Sequence, residues 1–230
     1  MNFYSWPGFG VKRFEMSVVP NLRTFVGPYT PTVQALDLLG ERWAISMTLA
    51  PIARDKRTAA AMEAFWDRLR GQVNGVAIGH QVIKVPQGTL RGSSTAQWKN
   101  ASSVNANWVN NASAAATWSS GEPFLLNAIG QLANTAVIRC PPGKTLLAGD
   151  LIGLGGQLVR QLTDTAADGS GNMAIEFTPR ARIAMPAGTG VMWNGPTANF
   201  ILKPGTTDVP TSWTPGAVID GATIELIEVF

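Results

Sequence analysis

Gly143-Lys144-Thr145 is the stretch of this chain whose residue types come nearest to cradling a phosphate. Such a loop needs glycines that expose backbone N–H donors, a lysine for the terminal phosphates and a hydroxyl for Mg²⁺. The glycine that should open the pattern is Ile138, and Pro141 and Pro142 each remove an N–H donor. A turn is the better reading. Asp164, Asp168, Gly169 and Asn172 loosely suggest a calcium loop. Their order is not that of an EF-hand, and no glutamate closes the loop at its twelfth position. A solvated hairpin turn bent at Asp168-Gly169 accounts for the same residues.

His80 is the single histidine and Cys140 the single cysteine. One histidine rules out a His-rich metal site, and one cysteine rules out an intrachain disulfide framework or a cysteine-rich metal site. A Ser-His-Asp or Cys-His pair would have to use His80, which has no nucleophile motif beside it. Cys140 reads as a small strand residue before the Pro141-Pro142 turn. The 15 carboxylates include no spaced pair suited to acid–base work. No catalytic residue, cofactor or metal is expected, and the chain is not read as an enzyme. Asn100-Ala-Ser and Asn111-Ala-Ser match glycosylation acceptors, but no secretory signal accompanies them.

Trp98, Trp108 and Trp118 recur every ten residues in small polar surroundings, and Lys99 is the only charge from Gly92 to Gly121. That spacing fits successive strands or hairpins that each contribute one aromatic to a core. An aromatic, Asn-rich surface also suits sugars, so a glycan platform is the alternative.

The elements that would position these residues are mostly strands. Of 230 residues only 14% are charged and 45% are hydrophobic, with 24 Gly and 15 Pro. This composition excludes a disordered tail and suits a turn-rich β protein that buries surface in an assembly. A net charge of +3 without a basic run gives little support for nucleic-acid binding. Met1 to Pro7 lacks the regions of a signal peptide, and no run of 18 apolar residues occurs. The expectation is a soluble protein, made in a cytosol, without membrane insertion.

One helix is predicted between Pro51 and Gly71, because Met62, Phe65, Trp66 and Leu69 share a face. Asp55 is its candidate cap, Arg68 and Arg70 suit the dipole of its last turn, and Gly71 is its expected stop. Strict alternation makes Glu41 to Leu49 the clearest strand, with Trp43, Ile45, Met47 and Leu49 on one side. Strands are also predicted at 11–19, 22–26 and 76–85, with an Asn74-Gly75 turn before the last. Pro28 to Gly40 reads as an extended loop or arm, and Asp164 to Gly171 as one long polar turn. Six short strands between Ala136 and Leu202 predict a small barrel or sandwich. Residues 203–216 read as a Pro- and Thr-rich linker. The apolar segment Ala222 to Phe230 must pair in a sheet, and its return to the first domain makes the middle of the chain an insertion.

Several stretches resemble the distal tail proteins of long-tailed bacteriophages. They are Leu147-Ala-Gly-Asp-Leu-Ile-Gly-Leu-Gly-Gly-Gln-Leu158, Thr165-Ala-Ala-Asp-Gly-Ser-Gly171, Phe177-Thr-Pro-Arg180 and Trp193-Asn-Gly-Pro-Thr-Ala198. Asn21-Leu-Arg-Thr-Phe25 and Leu38-Leu-Gly-Glu-Arg-Trp43 resemble the same group. Residues 92–135 carry none of the resemblance. In that family a β-sandwich with one helix forms a ring at the end of the tail tube, and a second β domain projects outward. The resemblance therefore implies a mainly β fold, with a ring-forming β-sandwich from residues 1–86 and 197–230. Residues 87–196 would be an inserted small β-barrel or sandwich. It further implies a virion structural protein, assembled in the host bacterial cytoplasm. Its partners would be copies of itself in a hexameric ring, the tail tube protein and the tail hub or tip proteins. Genome DNA would pass through the lumen without sequence readout. The segment from Pro28 to Gly40 would make subunit or ring-to-ring contacts. A carbohydrate-binding module of a host-recognition device is the alternative function.

Overall fold

The computed structural model describes residues 1–26, 33–38, 40–53, 57–90, 97–99, 117–119, 122–204, 218–219 and 223–229. The chain runs through β1 (Phe3–Ser5), β2 (Val11–Val19), β3 (Leu22–Val26), β4 (Val33–Asp37), β5 (Arg42–Leu49) and β6 (Ile52–Ala53). Helix α1 (Arg57–Leu69) and β7 (Gly75–Gly79) follow. Next come β8 (Gln97–Lys99), β9 (Thr117–Ser119), β10 (Phe124–Leu125), β11 (Thr135–Arg139) and β12 (Thr145–Leu146). Then come β13 (Leu151–Leu154), β14 (Gln157–Gln161), β15 (Thr165–Ala166), β16 (Asn172–Thr178) and β17 (Val191–Met192). The last strands are β18 (Thr197–Leu202), β19 (Val218–Ile219) and β20 (Thr223–Glu228). The fold is mainly β, a sandwich-type unit with one described helix and an inserted, nearly closed small barrel. Two compact units divide the chain: Met1–Val82 with Thr197–Phe230, and Ile83–Pro196.

The first unit is built on a six-stranded sheet in the order β1-β7-β18-β20-β5-β2. Only β1 and β7 pair in parallel; the other neighbours are antiparallel. The alternation in β5 becomes burial, with Trp43, Ile45, Met47 and Leu49 at most 2% exposed. Each such side chain contributes about 1.5–3 kcal/mol by leaving water. From β20, Ile224 and Leu226 are buried as well. Buried Glu228 extends the ladder past its backbone, since its Oε2 accepts from the Trp43 N–H at 3.0 Å. Helix α1 buries Met62, Phe65, Trp66 and Leu69, the predicted face. Phe65 meets Trp6 and Phe9 edge-on, with ring centroids 5.8 and 6.1 Å away. Contacts of this geometry add about 0.5–1.5 kcal/mol each beyond area burial.

The second unit carries a sheet in the order β10-β11-β16-β14-β13-β17, antiparallel throughout. Its ends meet. Phe124 bridges Gly190, the Leu125 N–H donates to the Thr189 carbonyl, and the Val191 N–H donates to the Pro123 carbonyl. Closing the sheet on itself leaves few backbone groups to recruit another strand. Ile138, Ile152, Leu154, Val159, Met173 and Phe177 fill the interior.

Several expectations are corrected. The strand predicted over 76–85 ends at Gly79, because its partner β18 begins at Thr197 opposite that residue. Beyond it Val82 is 77% exposed. The arm from Pro28 to Gly40 is in part a strand, since β4 pairs with β3 from Leu22↔Asp37 to Val26↔Val33. Both prolines of that stretch lie outside the described residues, as does the Asp55 cap. Asp164 to Gly171 is not one turn, because Thr165 and Ala166 pair with β12. Gly75 is not a turn glycine. A Cβ there would stand 2.5 Å from the Phe3 ring and 2.6 Å from the Phe200 carbonyl oxygen, so the sheet packs through the space it leaves. The helix stops one residue early, with Arg70 (φ 47) left-handed ahead of Gly71 (φ 66). Most of the 203–216 linker lies outside the described residues.

Candidate functional site

The first unit offers two surfaces of different character. Strand β2 is one of the two outer strands of the six-stranded sheet, a position that would invite pairing with another chain. It is guarded. Lys12, Arg13 and Glu15 are exposed along it, Arg13 Nε donates to Glu15 Oε1 at 2.9 Å, and the register slips between Val11 and Arg13. Charges and a bulge of this kind discourage edge-to-edge association. The β3/β4 ribbon forms a separate two-stranded sheet. Leu36 stands opposite Arg23, so Leu22 and Leu36 lie on opposite faces of the ribbon. Both are about half exposed, at 47% and 52%, and Leu38 and Val19 are exposed beside them. These exposed apolar side chains are available for contact.

The barrel of the second unit carries a groove of about 420 Å³ on β11 and β16. Val137 and Ala174, paired across the two strands, lie in its lining with Asn127, Thr135, Thr163 and Glu176. Small polar groups and one carboxylate around an apolar patch suit a ligand that offers hydroxyls and a hydrocarbon face.

The residues singled out for chemistry fall into structural roles. Pro141 to Lys144 form the expected turn, with Gly143 at φ 71 and the Lys144 N–H donating to the Pro141 carbonyl at 3.4 Å. Asp168 Oδ1 accepts from the N–H groups of Ser170 and Asn172, both at 2.8 Å. Those hydrogen bonds, the Asn172 N–H foremost, hold its carboxyl below the usual range. Asp164 Oδ1 accepts from the Ala148 N–H at 2.7 Å, so the two aspartates serve different turns. Among the described residues no group of three His, Cys, Asp or Glu could hold a metal. His80 packs edge-on to Phe14, and its Nδ1 accepts from the Val82 N–H at 3.2 Å. Cys140 is a buried thiol in the second unit. Burial pushes its pKa up, against the lowering pull of Arg139 and Lys144, which makes it a poor nucleophile. Trp98 and Trp118 pair in register across β8 and β9, while Trp108, Asn100 and Asn111 lie outside the described residues.

Asp150, which sequence reasoning passed over, organises the second unit. It is 1% exposed, and its Oδ1 accepts from the Gln87 N–H at 2.6 Å. Its Oδ2 accepts from Gly88 at 3.0 Å and Leu147 at 2.9 Å. The incoming segment is thus locked beside β12, where Thr89 and Thr145 exchange N–H to Oγ1 bonds, both at 3.0 Å. Gly88 runs so close to the Thr145 backbone that it has no room for a side chain. The Gly195 N–H donates to the Lys84 carbonyl at 2.6 Å, tying together the points where the chain joins and leaves the unit.

No protein-family model matches this chain, nor does any curated protein. What the geometry offers is surfaces for contact.

Proposed function

We propose that this chain is a structural subunit of a bacteriophage tail, a distal tail ring protein that joins the tail tube to the tail tip or hub. The observation that carries the proposal is the β3/β4 ribbon, a hairpin in a sheet of its own with exposed leucines on both faces. A hairpin of this kind reaches a neighbouring subunit by apolar contact, and repetition of one heterologous contact closes a ring when the rotation allows. The resemblance of residues 21–43 and 147–198 to distal tail proteins supports the same reading, as does the insertion of a closed β unit into a helix-bearing one. Copies of the chain, the tube protein and the tip proteins are the partners. DNA passes through the lumen without specific contact, and no substrate is turned over. Light scattering and electron microscopy of the purified protein test this. A closed ring of roughly six copies is expected. A monomer up to the highest soluble concentration, with no rings in the micrographs, counts against it.

The groove on β11 and β16 favours a second reading, a carbohydrate-binding module of a host-recognition device. Calorimetric titration with bacterial surface glycans tests it. Saturable heat that disappears in Glu176→Ala would support sugar binding there, and the absence of heat would remove it.

A further inference from the structure

A helix that closes on a left-handed residue ordinarily places glycine there. In α1 that first position is Arg70, although Gly71 follows at once. The Cβ of a non-glycine residue disfavours this conformation, so stopping the helix does not explain arginine at 70. What the early reversal accomplishes is placement. Two residues apart on a continuous helix, Arg68 and Arg70 would point to different sides. With the reversal at 70, both line a single cavity of about 430 Å³, beside Tyr4, Asp67, Val73 and Asn74. Asn2 and Asn74 are held in place beside the exposed arginines. Asn74 Nδ2 donates to the Arg68 carbonyl at 2.7 Å, and Asn74 Oδ1 accepts from the Asn2 N–H at 3.2 Å. The Gly75 N–H in turn donates to the Asn2 carbonyl at 2.9 Å. Among the described residues neither guanidinium has an ion pair.

We propose that this cavity binds a carboxylate, the free carboxyl end of a peptide or small organic acid. Guanidinium forks match the planar, two-oxygen geometry of that group. Two arginines and Asp67 leave the lining one net positive charge, which complements a monoanion. The Tyr4 hydroxyl is a further donor in the lining, and Val73, 62% exposed, offers an apolar wall to the rest of the ligand.

The test follows the arginine Nε–Hε signals of the ¹⁵N-labelled full chain by NMR. The probes are N-acetyl-dialanine, its C-terminal amide, acetate and inorganic phosphate. Saturable shifts at Arg68 and Arg70 are expected with the two carboxylates and none with the amide. Tighter binding of the peptide than of acetate assigns a peptide end, and equal binding assigns a small acid. Arg70→Gly is the decisive variant, because it removes the guanidinium while giving the backbone the residue it prefers. Carboxylate affinity should fall by about tenfold or more, while the melting temperature holds or rises. Arg68→Gln should weaken binding with the turn untouched. If the arginines serve only the helix dipole, no titration saturates and Arg70→Gly lowers the melting temperature, which overturns the proposal. A response to phosphate equal to that for acetate overturns the carboxylate assignment.

Discussion

Replacing Asp150 with alanine should destabilise the second unit by an amount that can be worked from its three hydrogen bonds. The Gly88 N–H is buried and loses its acceptor without access to water, at a cost of about 2–3 kcal/mol. Gln87 and Leu147 are exposed residues whose N–H groups can turn to solvent, so each loses only about 0.5–1 kcal/mol. Part of the total is returned because a buried carboxylate no longer has to be desolvated. The net expectation is roughly 3 kcal/mol. Asp150→Asn keeps one acceptor oxygen, enough for Gly88 and Leu147 together, and should lose about half as much. Because the chain divides into two compact units, a single melting curve does not isolate the second one. Native-state hydrogen exchange of the β13, β14 and β16 amides reports the second unit alone. A loss under about 1 kcal/mol in Asp150→Ala would show that water substitutes for the carboxylate and that the lock is dispensable.

Gly75→Ala should cost about 1–3 kcal/mol in urea unfolding of the first unit, since the Phe200 carbonyl that a methyl would meet belongs to the sheet itself. An unchanged midpoint would mean that β1 can shift freely. Leu36→Asp with Leu38→Asp should abolish the proposed ring in electron micrographs while changing stability by no more than about 0.5 kcal/mol, as both are exposed. Rings that persist in the double variant would remove the ribbon from the contact. The Asp168 carboxyl is held low in the folded state, so its support for the turn is present above the ordinary aspartate pKa and is lost as pH falls through the lowered value. The Ser170 and Asn172 amide shifts should therefore titrate with a midpoint below about 3.9, and a midpoint at or above that value would contradict the hydrogen-bonded turn.

Elements whose stability is set by their own side-chain pattern were legible from the residue order. β5 announces itself because one of its faces is fully buried and the other is not, and α1 because four large residues share one side. What escaped depends on partners far along the chain. The alternation at 80–85 continues past Gly79, but a strand needs a neighbour, and β18 has not begun on that side. Gly75 is dictated by Phe3 and by the carbonyl of Phe200, a residue contributed by a different strand. Asp150 looks like an ordinary turn residue until Gln87 and Gly88, more than sixty positions earlier, are brought to it. β4 was hidden by the prolines before it, which weighed against a strand although Val33–Asp37 contains none. At the end of α1, Gly71 offered so ordinary a stop that nothing in the residue order pointed to a left-handed Arg70.

The position of β20 bears on how the protein is made. It lies between β18 and β5, so until residues 223–228 have left the ribosome the first unit holds two separate half-sheets. At ordinary rates of synthesis Leu49 waits roughly ten to thirty seconds for Thr223. The second unit waits for nothing, because its strands follow one another in a continuous stretch of chain and its barrel can close during translation. A chain broken off before β20 would therefore carry a finished barrel and an unfinished sheet, with its apolar strand edges open to chaperones and proteases.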